Sequence, residues 1–153
     1  MAVPSNTASA AQPSATKPAA TKPAATPIGA WLLPVAAAWL IPGAGHFLLK
    51  KTGRGALIFG SVVLMFLFGL FMRGMMFTPE KGVDYLTSLI NYGGFVCNLS
   101  AGALYILTAM FGYNQPDMAG AVHDYGTKFL VTAGLLNILA MVDTWEIATG
   151  KKD

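Results

Sequence analysis

The sequence predicts an all-α membrane protein with about four transmembrane helices and a disordered N-terminal tail. Hydrophobic residues make up 54% of the chain and charged residues only 11%. The charges are also almost excluded from four apolar stretches, which predict helices over residues 28–49, 56–77, 86–112 and 125–148. Each stretch has at least the roughly 20 residues that an α-helix needs to cross a hydrocarbon core of about 30 Å. A soluble helical bundle is the alternative, but the second stretch is apolar on every face rather than on one.

Residues 1–27 differ in composition from the rest of the chain. They consist mainly of alanine, proline, serine and threonine, with a near-repeat of Ala-Thr-Lys-Pro-Ala over residues 15–26. Such a segment buries too little apolar surface to offset the loss of chain entropy on folding. It also lacks the basic start and early apolar run of a secretory signal. We therefore predict a disordered tail, a transmembrane domain over residues 28–150 and a basic C-terminal end at 151–153.

The first apolar stretch contains its own interruption. Pro42, Gly43 and Gly45 follow each other closely, and proline removes a backbone donor from the helix. The sequence predicts that the first helix is broken at Pro42-Gly43 and resumes as a short piece towards Leu49. Non-helical backbone at such a depth must be satisfied by neighbouring protein or by water.

The third and fourth helices carry small and polar residues inside apolar sequence. Gly93, Gly94, Asn98 and Ser100 suit a helix face that is turned towards other helices rather than towards lipid. Asn137 lies in a comparable position in the fourth stretch. We expect Asn98 and Asn137 to form hydrogen bonds between helices.

The sequence of residues 42–55 is a recognisable pattern: a Pro-Gly-Ala-Gly-His turn, an aromatic residue, a short basic loop and an Arg-Gly that opens the next helix. It resembles small bacterial membrane proteins related to the two-transmembrane-helix domain superfamily. Residues 142–148, followed by Lys151 and Lys152, are similar to the closing motif of that group, whereas residues 48–50 depart from the usual Tyr-Leu-Gly. The resemblance implies a multi-pass protein of the bacterial inner membrane, from an uncharacterised family with no assigned reaction.

Six residues are candidates for a functional role or for contact with lipid headgroups: His46, Lys50, Lys51, Arg54, Asp143 and Glu146. His46 follows the helix break, where it can bind a proton or a headgroup phosphate, or satisfy carbonyls that the break exposes. Asp143 and Glu146 are three residues apart and therefore share a helix face. Carboxylates inside a membrane often mark proton or ion paths, although a position near the membrane surface is the simpler interpretation for this pair.

Composition argues against several classes of function. The net charge of +3 is too small and too scattered to predict nucleic-acid binding. The chain has one cysteine, Cys97, and two histidines far apart in sequence, a count that argues against a metal site. We therefore predict no metal, no cofactor and no catalytic residue. The expected partners are the lipid bilayer, including anionic headgroups, and other membrane chains or a second copy of this one.

The orientation in the membrane stays open from the sequence. If all four stretches span, both termini lie on one side together with six basic residues. The other side then holds four, namely Lys50, Lys51, Arg54 and Lys128. The excess of basic residues that marks the cytoplasmic side is therefore small.

Three functions are compatible with these features. The leading hypothesis is a non-enzymatic structural or accessory component of a membrane assembly. The alternative is a small oligomeric transporter or ion- or proton-conducting protein that uses His46, Asp143 and the broken first helix, because discontinuous helices build ion sites in transporters. The third hypothesis is a lipid-modifying enzyme. It would need a cluster of acidic residues or histidines at one membrane interface, and the sequence offers only Asp143 and Glu146 there.

Overall fold

A computed structural model describes residues 27–116 and 119–152, and this part of the chain is entirely helical outside its turns. In chain order the helices are α1 (Ile28–Leu40), α2 (Ala44–Leu48), α3 (Thr52–Phe71), α4 (Tyr85–Ser100), α5 (Ala103–Met110) and α6 (Ala121–Ala148). The predicted all-α class is therefore confirmed for the described residues. The predicted disordered tail lies outside them, except for Pro27.

Two helices, α3 and α6, are long and apolar enough to cross a membrane, or three spans exist if the bent pair α4–α5 is counted as one. This is fewer than the four spans that the sequence predicts. The shortfall arises because the first and third apolar stretches are each divided into two shorter helices. Apolar length alone does not distinguish a continuous span from two helices that fold back on each other.

The long helix α6 is the centre of the fold and packs against α1, α3 and α4. Its buried residues are mostly small and recur every three or four positions, apart from one adjacent pair at 133 and 134: His123, Gly126, Leu130, Ala133, Gly134, Asn137, Ala140 and Thr144. This spacing places them on one side of the helix, and their small size lets neighbouring backbones approach closely. The apolar core lies between α3, α4 and α6 and contains Val62, Phe66, Ala101, Leu130 and Ala133.

Helices α3 and α6 run in opposite directions, which defines the two ends of the bundle. At one end Gly74 packs against the backbone of Gly126, and the Nδ1 atom of His123 lies 2.7 Å from the carbonyl oxygen of Arg73. At the other end the backbone of Gly55 contacts His46, which in turn meets α6. We call the end formed by residues 49–55 and 143–152 the cationic end, and the end formed by residues 72–84 and 119–128 the opposite end.

Helix α3 ends earlier than the apolar stretch predicts. The predicted helix over residues 56–77 instead begins at Thr52 and stops at Phe71. Arg73 adopts a left-handed conformation with φ of 54°, and the chain then turns towards α6, where the Met75 amide donates to the Thr127 hydroxyl at 2.9 Å. The apolar residues after Phe71 therefore pack against α6 and, at Phe77, against Gly94 of α4, and they do not continue the span.

The first helix pair enters from the cationic end and returns to it. The break lies where the sequence predicts it, at residues 41–43, with Gly43 in a left-handed conformation at φ of 79°. Beyond the break, Gly45 comes back alongside Pro34 and Ala38 of α1 and against Thr144 of α6. The pair α1–α2 is therefore a hairpin that turns about halfway along α6, and not a kinked span.

The second helix pair makes the corresponding turn from the opposite end. The predicted single helix over residues 86–112 is broken at residues 101–102, with an angle of 104° between α4 and α5. Gly102 allows this turn, because it adopts a φ of 62° and the Trp39 and Leu40 carbonyls pack directly against it. After α5 the Tyr113 hydroxyl donates to the Gly74 carbonyl at 2.9 Å, so the chain has returned to the end at which α4 began.

The two halves of the domain thus repeat one order of elements. A helix, a break, a short helix and a long helix occur as α1–α2–α3 and again as α4–α5–α6. The two hairpins enter from opposite ends, as in the inverted repeats of many membrane transporters. Their tips meet beside the middle of α6.

Candidate functional site

The tips of the two hairpins are joined through one buried side chain, Asn137, near the middle of α6. Its Nδ2 atom lies 3.1 Å from the carbonyl oxygen of Ala38, 3.4 Å from that of Trp39 and 2.7 Å from that of Ser100. The first two acceptors are at the end of α1 and the third is the last residue of α4. One amide therefore holds the carboxyl ends of two helices together.

The sequence explains why these carbonyls need an outside donor. In a helix, the Ala38 carbonyl would accept from the amide four residues on, but that residue is Pro42, which has no amide hydrogen. Ser100 ends α4, and the final carbonyls of a helix have no partner within it. Asn137 supplies the missing donor, and Trp39 adds a further link because its Nε1 atom donates to the Leu99 carbonyl at 3.2 Å.

The second buried asparagine behaves differently from the prediction. Asn98 is 1% exposed, and neither its amide nitrogen nor its amide oxygen has a hydrogen-bond partner within the described ranges. The predicted bond between helices is thus found for Asn137 and not for Asn98. From the sequence, both asparagines had the same predicted role, because each lies within an apolar helix.

A second polar cluster joins the first hairpin to the carboxyl end of α6. His46 is fully buried, and its Nε2 atom lies 2.9 Å from Oδ2 of Asp143. The other carboxylate oxygen of Asp143 forms an ion pair with Lys152, just beyond the helix. The structure thus brings together His46 and Asp143, which are 97 positions apart and were separate candidates in the sequence.

Both ring nitrogens of His46 contact side chains of α6. Nε2 faces the Asp143 carboxylate at 2.9 Å, and Nδ1 lies 3.3 Å from the Thr144 hydroxyl, which also donates to the Ala140 carbonyl at 2.8 Å. The imidazole is buried, whereas the Asp143 carboxylate is partly exposed. A histidine–carboxylate pair of this kind can hold a proton between two helices.

The remaining predicted candidates lie around this pair and do not enter it. Lys50, Lys51 and Arg54 are exposed in the turn between α2 and α3 and at the start of α3. Glu146 is half-buried one turn beyond Asp143, and the hydrogen bond of His46 goes to Asp143. Because the His46 ring has no exposed surface, only the exposed cations among these candidates could reach a headgroup, and that contact stays a prediction.

Sequence reasoning missed Thr144 and Lys152 as partners of the His46–Asp143 pair. Thr144 lies seven residues after Asn137 and four after Ala140, so the helical repeat identifies it as part of the same buried face. Lys152 had no comparable signal, because its pairing depends on how the chain turns after Gly150, which has a φ of 69°.

The opposite end has its own polar contacts. The Tyr113 hydroxyl donates to the Gly74 carbonyl, and His123 binds the Arg73 carbonyl, so the turn after α3 is held by the segment after α5 and by the start of α6. Burial raises the pKa of the Tyr113 phenol, which keeps the hydroxyl protonated as the donor of its bond. No group of three His, Cys, Asp or Glu side chains suited to a metal ion is found over the described ranges. That the protein uses no metal or cofactor stays a prediction.

Comparison with known proteins places the chain in a family. No curated protein and no solved structure matches it. The resemblance to the two-transmembrane-helix superfamily stays a prediction, because the family match does not test it. The match covers residues 30–153, which include all of the helices except the first two residues of α1. The chain belongs to a family of unknown function, DUF6677.

Proposed function

We propose that this protein is a multi-pass integral membrane protein that acts as a non-enzymatic component of a larger membrane assembly. Insertion is supported by the two long apolar helices, α3 and α6. It is also supported by the many large apolar side chains on the outside of the bundle, such as Leu57, Leu64 and Phe71. In water these side chains would form an extended apolar surface, whereas in a bilayer they contact lipid.

The observation that carries the assembly role is the outer face of the α4–α5 hairpin. Helix α5 has no buried residue, although all of its residues except Thr108 are of hydrophobic types. On α4, a side chain built at Gly93 would meet nothing within 4 Å, so this glycine opens onto the outside of the bundle. Glycine on an outer helix face allows the helix of another chain to approach closely.

The polar contacts inside the bundle support the same role. Asn137, His46 and Asp143 each connect different helices of this chain. They stabilise the two broken helices against α6, as a scaffold requires. A bundle whose helices are held together by internal polar contacts, and whose outer face is open to a partner helix, suits an accessory subunit.

Filling the glycine on the outer face tests the proposal. We expect the protein, extracted in a mild detergent, to co-purify with another membrane chain or with a second copy. Gly93→Leu should remove that partner, since the leucine side chain would hold the partner helix away. Gly29→Leu is the matched control, because Gly29 also opens onto free space but lies at the start of α1. Native mass spectrometry measures the composition. A strictly solitary wild-type chain in the mildest detergent would contradict the assembly role.

A transporter or proton-conducting oligomer is the second candidate, and it is favoured by the pair of buried His46 and partly exposed Asp143. The pair joins a broken helix to a long one, as ion and proton sites of transporters do. Proteoliposomes that contain a pH-sensitive dye should then show proton flux that is lost in His46→Ala and in Asp143→Asn. Asp84→Asn is the control, because Asp84 is an exposed carboxylate at the opposite end. Wild-type flux no greater than that of empty vesicles would reject this candidate.

A further inference from the structure

Charged residues are distributed unequally between the two ends of the bundle. Among the described residues, the cationic end holds five basic side chains against two acidic ones: Lys50, Lys51, Arg54, Lys151 and Lys152 against Asp143 and Glu146. The opposite end holds three of each: Arg73, Lys81 and Lys128 against Glu80, Asp84 and Asp124. The positive excess is thus confined to one end.

The hairpin α1–α2 is the reason for this separation. Because it turns back halfway, the loop that carries Lys50 and Lys51 lies at the same end as the start of α1 and the end of α6. With four full spans, the same loop would lie across the membrane from both termini. Four full spans would divide the basic residues almost evenly between the two sides of the membrane, whereas the hairpin places most of them at one end.

The cationic end also has features of a membrane interface. Lys151 lies over the ring of Trp145, with 3.8 Å between its Nζ atom and the ring centroid. Trp31, in the first turn of α1, is a second tryptophan at this end. Tryptophan is enriched where a protein crosses from hydrocarbon to headgroups. The first turn of α3 carries no acidic residue, so the positive end of its dipole adds to the potential of the lysines.

We propose that the cationic end is a docking surface for the phosphate headgroups of anionic lipids in the cytoplasmic leaflet. Basic residues next to membrane spans accumulate on the cytoplasmic side, and an anionic leaflet attracts them. Lys50 and Lys51 are exposed and carry the contact. The start of α1 and the end of α6 then face the cytoplasm, together with the loop between α2 and α3. This inference rests on membrane insertion alone and not on the assembly role.

Cysteine labelling in intact cells tests which side each loop occupies. In a Cys97→Ser background, single substitutions Lys51→Cys and Lys81→Cys are treated with a maleimide that cannot cross the membrane. We expect label on residue 81 in intact cells and on residue 51 only after permeabilisation. Four full spans with cytoplasmic termini would give the reverse pattern. That reverse pattern, or label on both residues from the same side, overturns the inference.

Quenching of tryptophan fluorescence tests the lipid contact. The full chain is reconstituted in phosphatidylcholine vesicles that contain either brominated phosphatidylglycerol or brominated phosphatidylcholine. We expect stronger quenching by the anionic lipid at low salt, because Trp31 and Trp145 lie at the cationic end. Lys50→Gln with Lys51→Gln should lower the relative affinity for that lipid about fivefold for each lysine removed.

The control is the pair Lys81→Gln and Lys128→Gln, which removes the same charge from the opposite end and should leave the preference intact. Equal quenching by both lipids in the wild-type chain overturns the lipid contact. Equal loss of preference in both double variants overturns it as well, because the effect would then follow net charge alone. Neither outcome depends on whether a partner chain co-purifies, so a failure of this inference is distinguishable from a failure of the assembly role.

Discussion

Asn137→Leu should strongly destabilise the domain, whereas Asn98→Leu should leave its stability unchanged or raise it. Both asparagines are fully buried, and leucine has a similar volume. Asn137 donates to carbonyls at the ends of α1 and α4, and each buried acceptor that loses its donor costs about 1–3 kcal/mol. Asn98 has no partner among the described residues, so its replacement removes a buried polar group without leaving another one unsatisfied.

Thermal unfolding of both variants in detergent, followed by circular dichroism, measures the difference. The comparison separates the hydrogen bonds of Asn137 from the general effect of exchanging a buried amide for an apolar side chain. Equal stability of the two variants would mean that the Asn137 amide does not hold the broken helices together. If Asn137→Leu kept its helix content but no longer unfolded in one cooperative transition, the result would support this role of Asn137, because the hairpin tips would have separated from α6.

Gly102→Ala is expected to have the second large effect. Gly102 has a φ of 62°, and an added methyl group would overlap the Trp39 carbonyl and lie 2.8 Å from the Leu40 carbonyl oxygen. These are backbone atoms of the other hairpin, which cannot move without separating the two tips. Gly112→Ala is the matched variant, because Gly112 has a φ of 69° but nothing within 4 Å of an added methyl group.

The cost of a left-handed alanine is common to both glycine variants, so their difference isolates the contact between the hairpins. We expect Gly102→Ala to lose about 1–3 kcal/mol more stability than Gly112→Ala, the usual cost of inserting a methyl group into packed structure. Unfolding under increasing denaturant in detergent measures both. If Gly102→Ala were no less stable than Gly112→Ala, the two hairpin tips would not be in contact.

Several elements were predictable from the sequence because their signals are local. Apolar length and the absence of charge predicted helices throughout, and the adjacent Pro42 and Gly43 predicted the break in the first one. The second break was not predicted, because Gly102 stands alone in apolar sequence that also includes glycines at 93 and 94. Of these three glycines, only Gly102 has carbonyls of another helix packed against its backbone, and no property of the local sequence records that.

The candidate residues were likewise predictable one by one from local sequence, whereas their contacts with each other were not. His46 and Asp143 were each suspected, from a helix break and from a carboxylate in apolar sequence. Their direct bond was not foreseen, because a distance of 2.9 Å between residues 97 positions apart depends on the return of α2 towards α6. Lys152 was assigned only to a basic end, although it pairs with Asp143.

The sequence by itself determined that this chain is helical, highly apolar and interrupted near Pro42. Tertiary structure decided that the two interrupted helices turn back at the middle of α6, and therefore which charges share an end of the bundle. The physical reason is that hydrophobic length and backbone breaks are properties of neighbouring residues. The direction taken after a break is set by distant partners, here the Asn137 amide and the carbonyls that it satisfies.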